Sequence, residues 1–265
     1  MHPDVRAAEP GKCPQCGMQL VAMPQAHSDY WLDVETEPRA VPVAKPVRMR
    51  LAVRERPGNV VATRFEPVHE RPMHLFLVSH DLTHFEHVHP TPEGDGTFTV
   101  TVTLPKAGPY RLVADVLPIG AAPLTLQHSL VTARHLAPLA RSRATLTVET
   151  TEARDGDVIA RMQPMPLRAG DDAHVAVEFV DAGTHQPVRD LDEYLGAWGH
   201  MLLASADLQD IVHSHPLVEE TEAGGPRVTF QTLFAREGWY RVWTQVQRRG
   251  RLLTFRFTVR VASAT

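Results

Sequence analysis

A long phrase that occurs twice constrains the fold of this chain more than any other feature. Residues 74–90 read HLFLVSHDLTHFEHVHP, and residues 200–216 read HMLLASADLQDIVHSHP. Downstream, KAGPYRLVADV at 106–116 matches REGWYRVWTQV at 236–246, and LTLQHSLVT at 124–132 matches LTFRFTVRV at 253–261. The offset of 126 to 130 residues is far longer than the period of a solenoid repeat. The sequence therefore predicts two tandem copies of one domain.

Each copy has the pattern of a β-sandwich. Apolar and polar residues alternate in RMRLAV (48–53) and in FTVTVTL (98–104), and long helical periodicity is scarce. Several short strands within about 90–120 residues are typical of immunoglobulin-like or cupredoxin-like sandwiches. We therefore expect an all-β fold, with one sandwich over residues 46–134 and another over residues 143–263. Pro38, Pro42 and Pro46 oppose regular pairing, so residues 25–45 are expected to be a linker.

Charge and hydropathy restrict the classes of partner. The formal net charge is −4 and no basic run is present, which argues against nucleic acid. No apolar stretch approaches the length of a membrane span. Met1 is followed directly by HPDVRAAEPGK, in which no cleavable signal peptide is visible.

Three histidines of the repeated phrase recur at matching positions. They are His74, His87 and His89 in the first copy and His200, His213 and His215 in the second. A turn centred on Asp81-Leu82 places the first histidine opposite the third, with Cβ atoms about 5 Å apart. The second histidine shares their face because side chains alternate along a strand. We therefore predict that three imidazoles converge at one end of each hairpin.

Converging imidazoles have two interpretations. Neutral imidazole is the commonest side-chain metal ligand, and three of them suit copper or zinc. The alternative is structural: exposed turn histidines, or a His-x-His-Pro corner with its rings bonded to the backbone. Recurrence of the third histidine at the same spacing strengthens the metal interpretation, and both interpretations stay open. The additional His69, His80 and His84 of the first copy predict tighter binding there.

The N-terminal stretch MHPDVRAAEPGKCPQCGMQLV contains both cysteines of the chain, Cys13 and Cys16. A Cys-x-x-Cys presents two thiolates from one tight turn, and Gly17 tolerates the left-handed conformation that such turns use. A redox pair is the alternative, but no βαβ pattern surrounds the motif. We therefore predict a small metal-knuckle unit over residues 1–24, with His2 and Met18 as lesser ligands.

The same stretch resembles the short heavy-metal-binding domain at the N-termini of copper-type P-type ATPases and of some periplasmic efflux adaptors. That pattern is Cys-Pro-Met-His-Pro, a spacer, Pro-Gly, then Cys-Pro-x-Cys-Gly-Met, and this chain lacks the first Cys-Pro. We therefore expect the natural chain to start upstream of Met1. The remainder is similar, more loosely, to a bacterial group that joins this domain to tandem sandwiches with a His…His-x-His-Pro phrase. The resemblance implies an extracytoplasmic role in metal handling.

These features predict a periplasmic or other extracytoplasmic protein that binds copper, as Cu(I) or Cu(II), with zinc as the alternative metal. Buffering, chaperoning or resistance is expected rather than catalysis. One alternative is a docking module for a metal-efflux transporter, adaptor or oxidase, with metal bound only by the N-terminal unit. Another is a metalloenzyme with an open position at a three-histidine site, with Glu70 or Glu86 as general base. If Met1 is the true start, a cytoplasmic location is expected instead.

Overall fold

The structure, a computed structural model, describes residues 12–15, 17, 29–163 and 165–264. These residues form β-strands joined by turns and loops, with one short 3-10 helix among them at Leu139–Ser142. The chain divides into two compact units between Ala144 and Thr145, and the described N-terminal residues group with the second. Within the described part of the chain, no helix is long and apolar enough to cross a membrane.

The first unit is a sandwich of two antiparallel sheets. One sheet has the order β1-β2-β7-β6, with β3 paired to β2, and the other has the order β5-β4-β8-β9. Its strands are β1 (Tyr30–Glu37), β2 (Pro46–Glu55), β3 (Val60–Val61), β4 (Met73–Ser79), β5 (Phe85–Val88), β6 (Thr91–Pro92), β7 (Thr97–Thr103), β8 (Pro109–Val116) and β9 (Leu124–Val131). Leu51, Leu75 and Leu112 come from both sheets and are fully buried in one cluster. Each such leucine contributes about 2 kcal/mol of hydrophobic stabilisation.

Strand β1 lies within the segment for which the sequence predicts a linker. It pairs with β2 along its whole length, from Tyr30 opposite Glu55 onward. The prolines do not oppose this pairing, because Pro38 follows the last residue of β1 and Pro46 is the first residue of β2. Residues 30–37 are thus part of the first sandwich, and the expectation of a linker over residues 25–45 is corrected there.

The second unit has the same plan. One sheet has the order β10-β11-β12-β16, and the other has the order β13-β17-β14-β15, with β18 paired to β17. Its strands are β10 (Glu152–Asp155), β11 (Val158–Met162), β12 (Asp172–Asp181), β13 (Leu191–Asp192), β14 (His200–Ser205), β15 (Ile211–Ser214), β16 (Arg227–Leu233), β17 (Gly238–Arg248) and β18 (Arg251–Val261). A second buried cluster, which includes Phe179, Phe230 and Phe255, fills the space between these sheets. The predicted all-β fold of two tandem sandwiches is confirmed.

The strand that begins each histidine phrase is buried on both faces. All seven residues of β4 and all six of β14 are buried. Leu75 and Leu77 belong to the sandwich core, so the alternating side chains of His74 and Phe76 lie on the other face of the sheet. The recurring histidines therefore lie on the face of their sheet that points away from the sandwich core.

Candidate metal centres

Two hairpins, β4–β5 and β14–β15, carry the recurring histidines. Phe76 lies opposite His87 in the first hairpin, and Leu202 lies opposite His213 in the second. Extended by two residues, the same registers place His74 opposite His89 and His200 opposite His215. The register that the sequence predicts is confirmed in both hairpins, and it sets the three histidines of each phrase on one face.

A turn with side-chain hydrogen bonds fixes the register of each hairpin. Ser79 Oγ donates to Asp81 Oδ1 at 2.5 Å and accepts from the backbone N–H of His84 at 2.9 Å. Leu82 has a φ of 55°, so its backbone is in the left-handed region. Its side chain is fully buried and holds the turn against the protein. In the second hairpin, Ser205 Oγ donates to Asp207 Oδ1 at 2.7 Å and accepts from the backbone N–H of Asp210 at 3.0 Å. Leu208, which matches Leu82, has a φ of 56°.

The aspartates of these turns are ionised under ordinary conditions. Partial burial raises the pKa of Asp81, but hydrogen bonds from Lys106, Ser79 and Thr83 outweigh it and hold that pKa well below the usual range. Partial burial likewise raises the pKa of Asp207, and hydrogen bonds led by that from Arg236 lower it to about 2. Charge-assisted hydrogen bonds are stronger than neutral ones, so the ionised carboxylates stabilise both turns.

The three histidines of the first hairpin converge on one point. His87 Nε2 lies 3.0 Å from His74 Nδ1 and 3.1 Å from His89 Nε2. One ring nitrogen of each residue lies within 4.8 Å of the other two. His74 is 1 % exposed and His87 is 7 % exposed, so these two rings are enclosed by protein, whereas His89 is partly exposed.

A backbone carbonyl orients the first histidine of this cluster. His74 Nε2 lies 2.8 Å from the carbonyl oxygen of Val68. A carbonyl oxygen only accepts hydrogen bonds, so Nε2 carries the proton and Nδ1 presents its lone pair to the other two rings. Metal-binding imidazoles are commonly fixed in this way, with the nitrogen that does not bind metal donating to a carbonyl or carboxylate.

The second hairpin reproduces the cluster. His200 Nε2 lies 3.0 Å from the carbonyl oxygen of Tyr194, six residues before it, which leaves Nδ1 for the cluster. One nitrogen each from His200, His213 and His215 lies within 4.8 Å of the others. Their ring centroids are 5.8, 5.0 and 4.3 Å apart, against 5.2, 4.9 and 4.5 Å for the corresponding pairs of the first hairpin. The two clusters are therefore built alike.

The orienting carbonyls belong to tight turns that the repeated histidine phrase does not predict. Val68 and Arg71 exchange backbone hydrogen bonds of 2.9 and 3.2 Å, and Tyr194 and Ala197 exchange bonds of 2.8 and 3.3 Å. Both central residues of each turn have φ between 46° and 66°, as in a type I′ turn. These central residues are His69, Glu70, Leu195 and Gly196. Gly196 is the one residue that could have indicated a turn of this type, because glycine is favoured there. The first turn contains no glycine.

The nitrogen donors fit a copper or zinc ion. Metal–nitrogen bonds of about 2.0–2.1 Å at tetrahedral angles hold two nitrogens about 3.3 Å apart. The contacts of 3.0 and 3.1 Å in the first cluster are within a few tenths of an ångström of that separation. Because three imidazole nitrogens suit both metals, each cluster can supply three ligands. Ligation by the six histidines remains a prediction.

The other histidines of the first phrase lie apart from the cluster. His84 Nε2 is 3.2 Å from Glu86 Oε1, and Glu86 lies on the opposite face of β5 from its neighbour His87. His80 is half-buried in the turn, where burial and two nearby arginines lower its pKa. Among the described residues, the groups able to hold a metal are the two three-histidine clusters alone. His80 and His84 therefore lie outside the three-histidine group of the first site.

The structure describes part of the predicted knuckle. The backbone N–H of Gly17 donates to the carbonyl of Cys13 at 2.8 Å, and Gly17 has a φ of 72°, so its predicted left-handed conformation is confirmed. Cys13 is buried, and Val218 N donates to the carbonyl of Gln15 at 3.5 Å. The remaining predicted ligands of this unit, His2, Cys16 and Met18, lie outside the described residues.

Comparisons with solved structures give similarity at low scores. The adhesin FdeC of Escherichia coli is 12 % identical, with 92 % of this chain and 67 % of that chain covered and a TM-score of 0.28. The fibronectin(III)-like modules of CbhA from Clostridium thermocellum are 9 % identical, with 88 % and 95 % covered and a TM-score of 0.24. Similarity at these scores carries no further argument. No curated protein matches the chain.

Family models match nearly the whole sequence. A heavy metal binding domain matches residues 1–23, which are the residues of the predicted knuckle. The model described as domain of unknown function (DUF8832) matches residues 25–133 and 141–263, which include both sandwiches and all six clustered histidines. The chain therefore belongs to the DUF8832 family, and its sandwiches follow an N-terminal heavy metal binding domain.

Proposed function

We propose that this protein binds one metal ion in each sandwich, in addition to the metal bound by its N-terminal domain. The observation that supports this most strongly is the duplication of the whole site. Three histidines at matching positions, two on paired strands and the third directly after the second strand, occur in both units, with the first ring oriented by a carbonyl six residues earlier. A shared metal ion requires three nitrogens to face one point, whereas a purely structural corner, in which one imidazole N–H can donate to the next ring, does not.

Copper is the metal that we propose, as Cu(I) or Cu(II), with zinc as its competitor. Imidazole suits both metals, and Cu(II) binds more tightly than zinc to a given nitrogen site by the Irving–Williams order of divalent ions. The Cys13 and Cys16 thiolates of the N-terminal domain are soft ligands that favour Cu(I). A chain with nitrogen sites and a thiolate site is suited to hold copper in either oxidation state.

Buffering or chaperoning of the metal is the proposed role, rather than catalysis. The clustered histidines other than His89 are at most 8 % exposed, which restricts the approach of a substrate. Glu86, one of the two candidates for the general base of an enzyme here, faces away from His87 and contacts His84. We propose an extracytoplasmic location and a metal-efflux transporter or adaptor as partner, because the N-terminal resemblance is to domains of such systems.

Metal counting on variants of the full chain tests the proposal. Protein purified without chelators should lose two metal ions per chain when His87→Ala and His213→Ala are combined, because each change removes one ligand of a cluster. The matched control is His80→Ala with His84→Ala, which removes two histidines of the same phrase and should lose none. If Cys13→Ser with Cys16→Ser abolishes all binding, the docking-module alternative is correct and the sandwich sites are not.

A further inference from the structure

One position beside the two clusters differs in charge. Strand β8 lies on the side of β4 away from β5, and its register places Asp115 directly opposite His74. In the second unit, β17 places Gln245 directly opposite His200. Opposed residues share a face of the sheet, with Cβ atoms about 4.5–5.5 Å apart. A carboxylate therefore flanks the first cluster at the position where a neutral amide flanks the second.

The two side chains occupy similar surroundings. Asp115 is partly buried, its Oδ1 is enclosed by protein, and Thr125 of β9 lies opposite it. Gln245 is 5 % exposed, and its Nε2 donates to Oγ1 of Thr254, the residue opposite it on β18, at 3.0 Å. Charges interact several times more strongly at such protected positions than in water. The charge of Asp115, at a partly buried position, is therefore screened less than the charge of an exposed residue.

Another carboxylate near the first cluster is less well placed. Glu70 lies in the turn before β4, where the second unit has Gly196. Glu70 is exposed and is followed by the exposed cation of Arg71. Solvent and mobile ions screen charges at such positions, so their contribution is small. Of these two carboxylates that the second unit lacks, Asp115 is thus the one that a metal ion at the first cluster experiences more strongly.

We propose that Asp115 makes the two metal sites unequal, so that the first site binds a divalent cation more tightly than the second. This inference rests on the proposed function, since it requires both clusters to bind metal. Three neutral imidazoles leave the full charge of a divalent ion uncompensated, which is unfavourable in a buried site. Asp115 compensates part of that charge at the first site. For Cu(I), which has half the charge, the difference between the sites is smaller.

Zinc titration of the full chain in competition with a chromophoric chelator tests the inference. The Cys13→Ser and Cys16→Ser changes are made first, so that zinc reports on the sandwiches, and His87→Ala or His213→Ala assigns each binding event to its unit. The first site should bind about tenfold more tightly than the second. Asp115→Asn should weaken the first site by about tenfold and leave the second unchanged. Gln245→Asp should strengthen the second site by a similar factor.

The control is Glu35→Gln, which makes the same change in net charge at an exposed position of β1 in the other sheet. It should change neither affinity by more than about twofold. If both sites bind zinc but Asp115→Asn and Gln245→Asp leave the affinities unchanged, or if Glu35→Gln acts as strongly, the inference is overturned and the proposed function stands. If the cysteine-free chain binds no zinc at either cluster, the proposed function itself fails. Should Asp115→Asn not fold, Gln245→Asp decides the question by itself.

Discussion

Removal of the Ser205 hydroxyl tests whether the turn holds the second histidine hairpin in register. Ser205 is 6 % exposed, and its Oγ donates to Asp207 Oδ1 at 2.7 Å and accepts from the N–H of Asp210 at 3.0 Å. Ser205→Ala removes both hydrogen bonds and leaves the N–H of Asp210 without this acceptor. A hydrogen bond contributes about 1 kcal/mol, and an unsatisfied buried donor costs about 1–3 kcal/mol. We expect the free energy of unfolding of the second unit to fall by about 2 kcal/mol.

Tryptophan fluorescence during urea unfolding measures this change. Three of the four tryptophans, Trp198, Trp239 and Trp243, lie in the second unit, so fluorescence reports mainly on it. Ser205→Ala should also weaken zinc binding at the second site, since the turn sets its register. The matched Ser79→Ala removes the equivalent hydroxyl from the first unit and should leave the main fluorescence transition in place. A loss below about 0.5 kcal/mol, or an equal shift from Ser79→Ala, would refute the reasoning.

Two other substitutions have defined expectations. The folded pKa of Asp207, about 2, is below its ordinary value of 3.8, so its ionised form stabilises the fold above about pH 4 and this stabilisation is lost as pH falls through 2. Asp207→Asn should thus cost about 1 kcal/mol at pH 7, allowing for solvent screening, and only a small fraction of that at pH 2, where about half of the Asp207 carboxyls are protonated, as thermal melts across pH would show. The side chain of Arg248 is 8 % exposed and lies 2.8–3.4 Å from three carboxylates. Arg248→Met should lower the free energy of unfolding by about 3 kcal/mol, whereas Arg249→Met, at an exposed ion pair, should change it by less than about 1 kcal/mol.

The parts of this structure that follow from the sequence depend on local patterns that occur twice. The Ser-x-Asp-Leu turn and strand alternation predict the register of both hairpins, because a turn of known centre fixes which residues face each other. Strand β1 was not predictable in the same way. Pro38 lies immediately after the last residue of β1, and Pro46 is the first residue of β2. In the sequence, prolines at such positions cannot be distinguished from prolines that prevent strand pairing.

The surroundings of the clusters were less predictable because they depend on backbone atoms and on distant strands. The carbonyls of Val68 and Tyr194 orient the first histidines, and a carbonyl has no residue-specific signal. Asp115 comes to lie opposite His74 only through the pairing of β4 with β8, whose register no short turn determines. Long-range pairing therefore decided which charge flanks each cluster, whereas local pairing decided which histidines meet.

X-ray absorption spectroscopy of the metal-loaded chain tests the central claim most directly. The protein carries Cys13→Ser and Cys16→Ser and is loaded with two equivalents of zinc, so that the sandwich sites supply the signal. We expect two zinc ions per chain, each with a shell of nitrogen at about 2.0 Å and the outer-shell scattering of about three imidazoles. His87→Ala combined with His213→Ala should remove that signal. A chain that retains no zinc, or an imidazole count that these two substitutions leave unchanged, would contradict the claim.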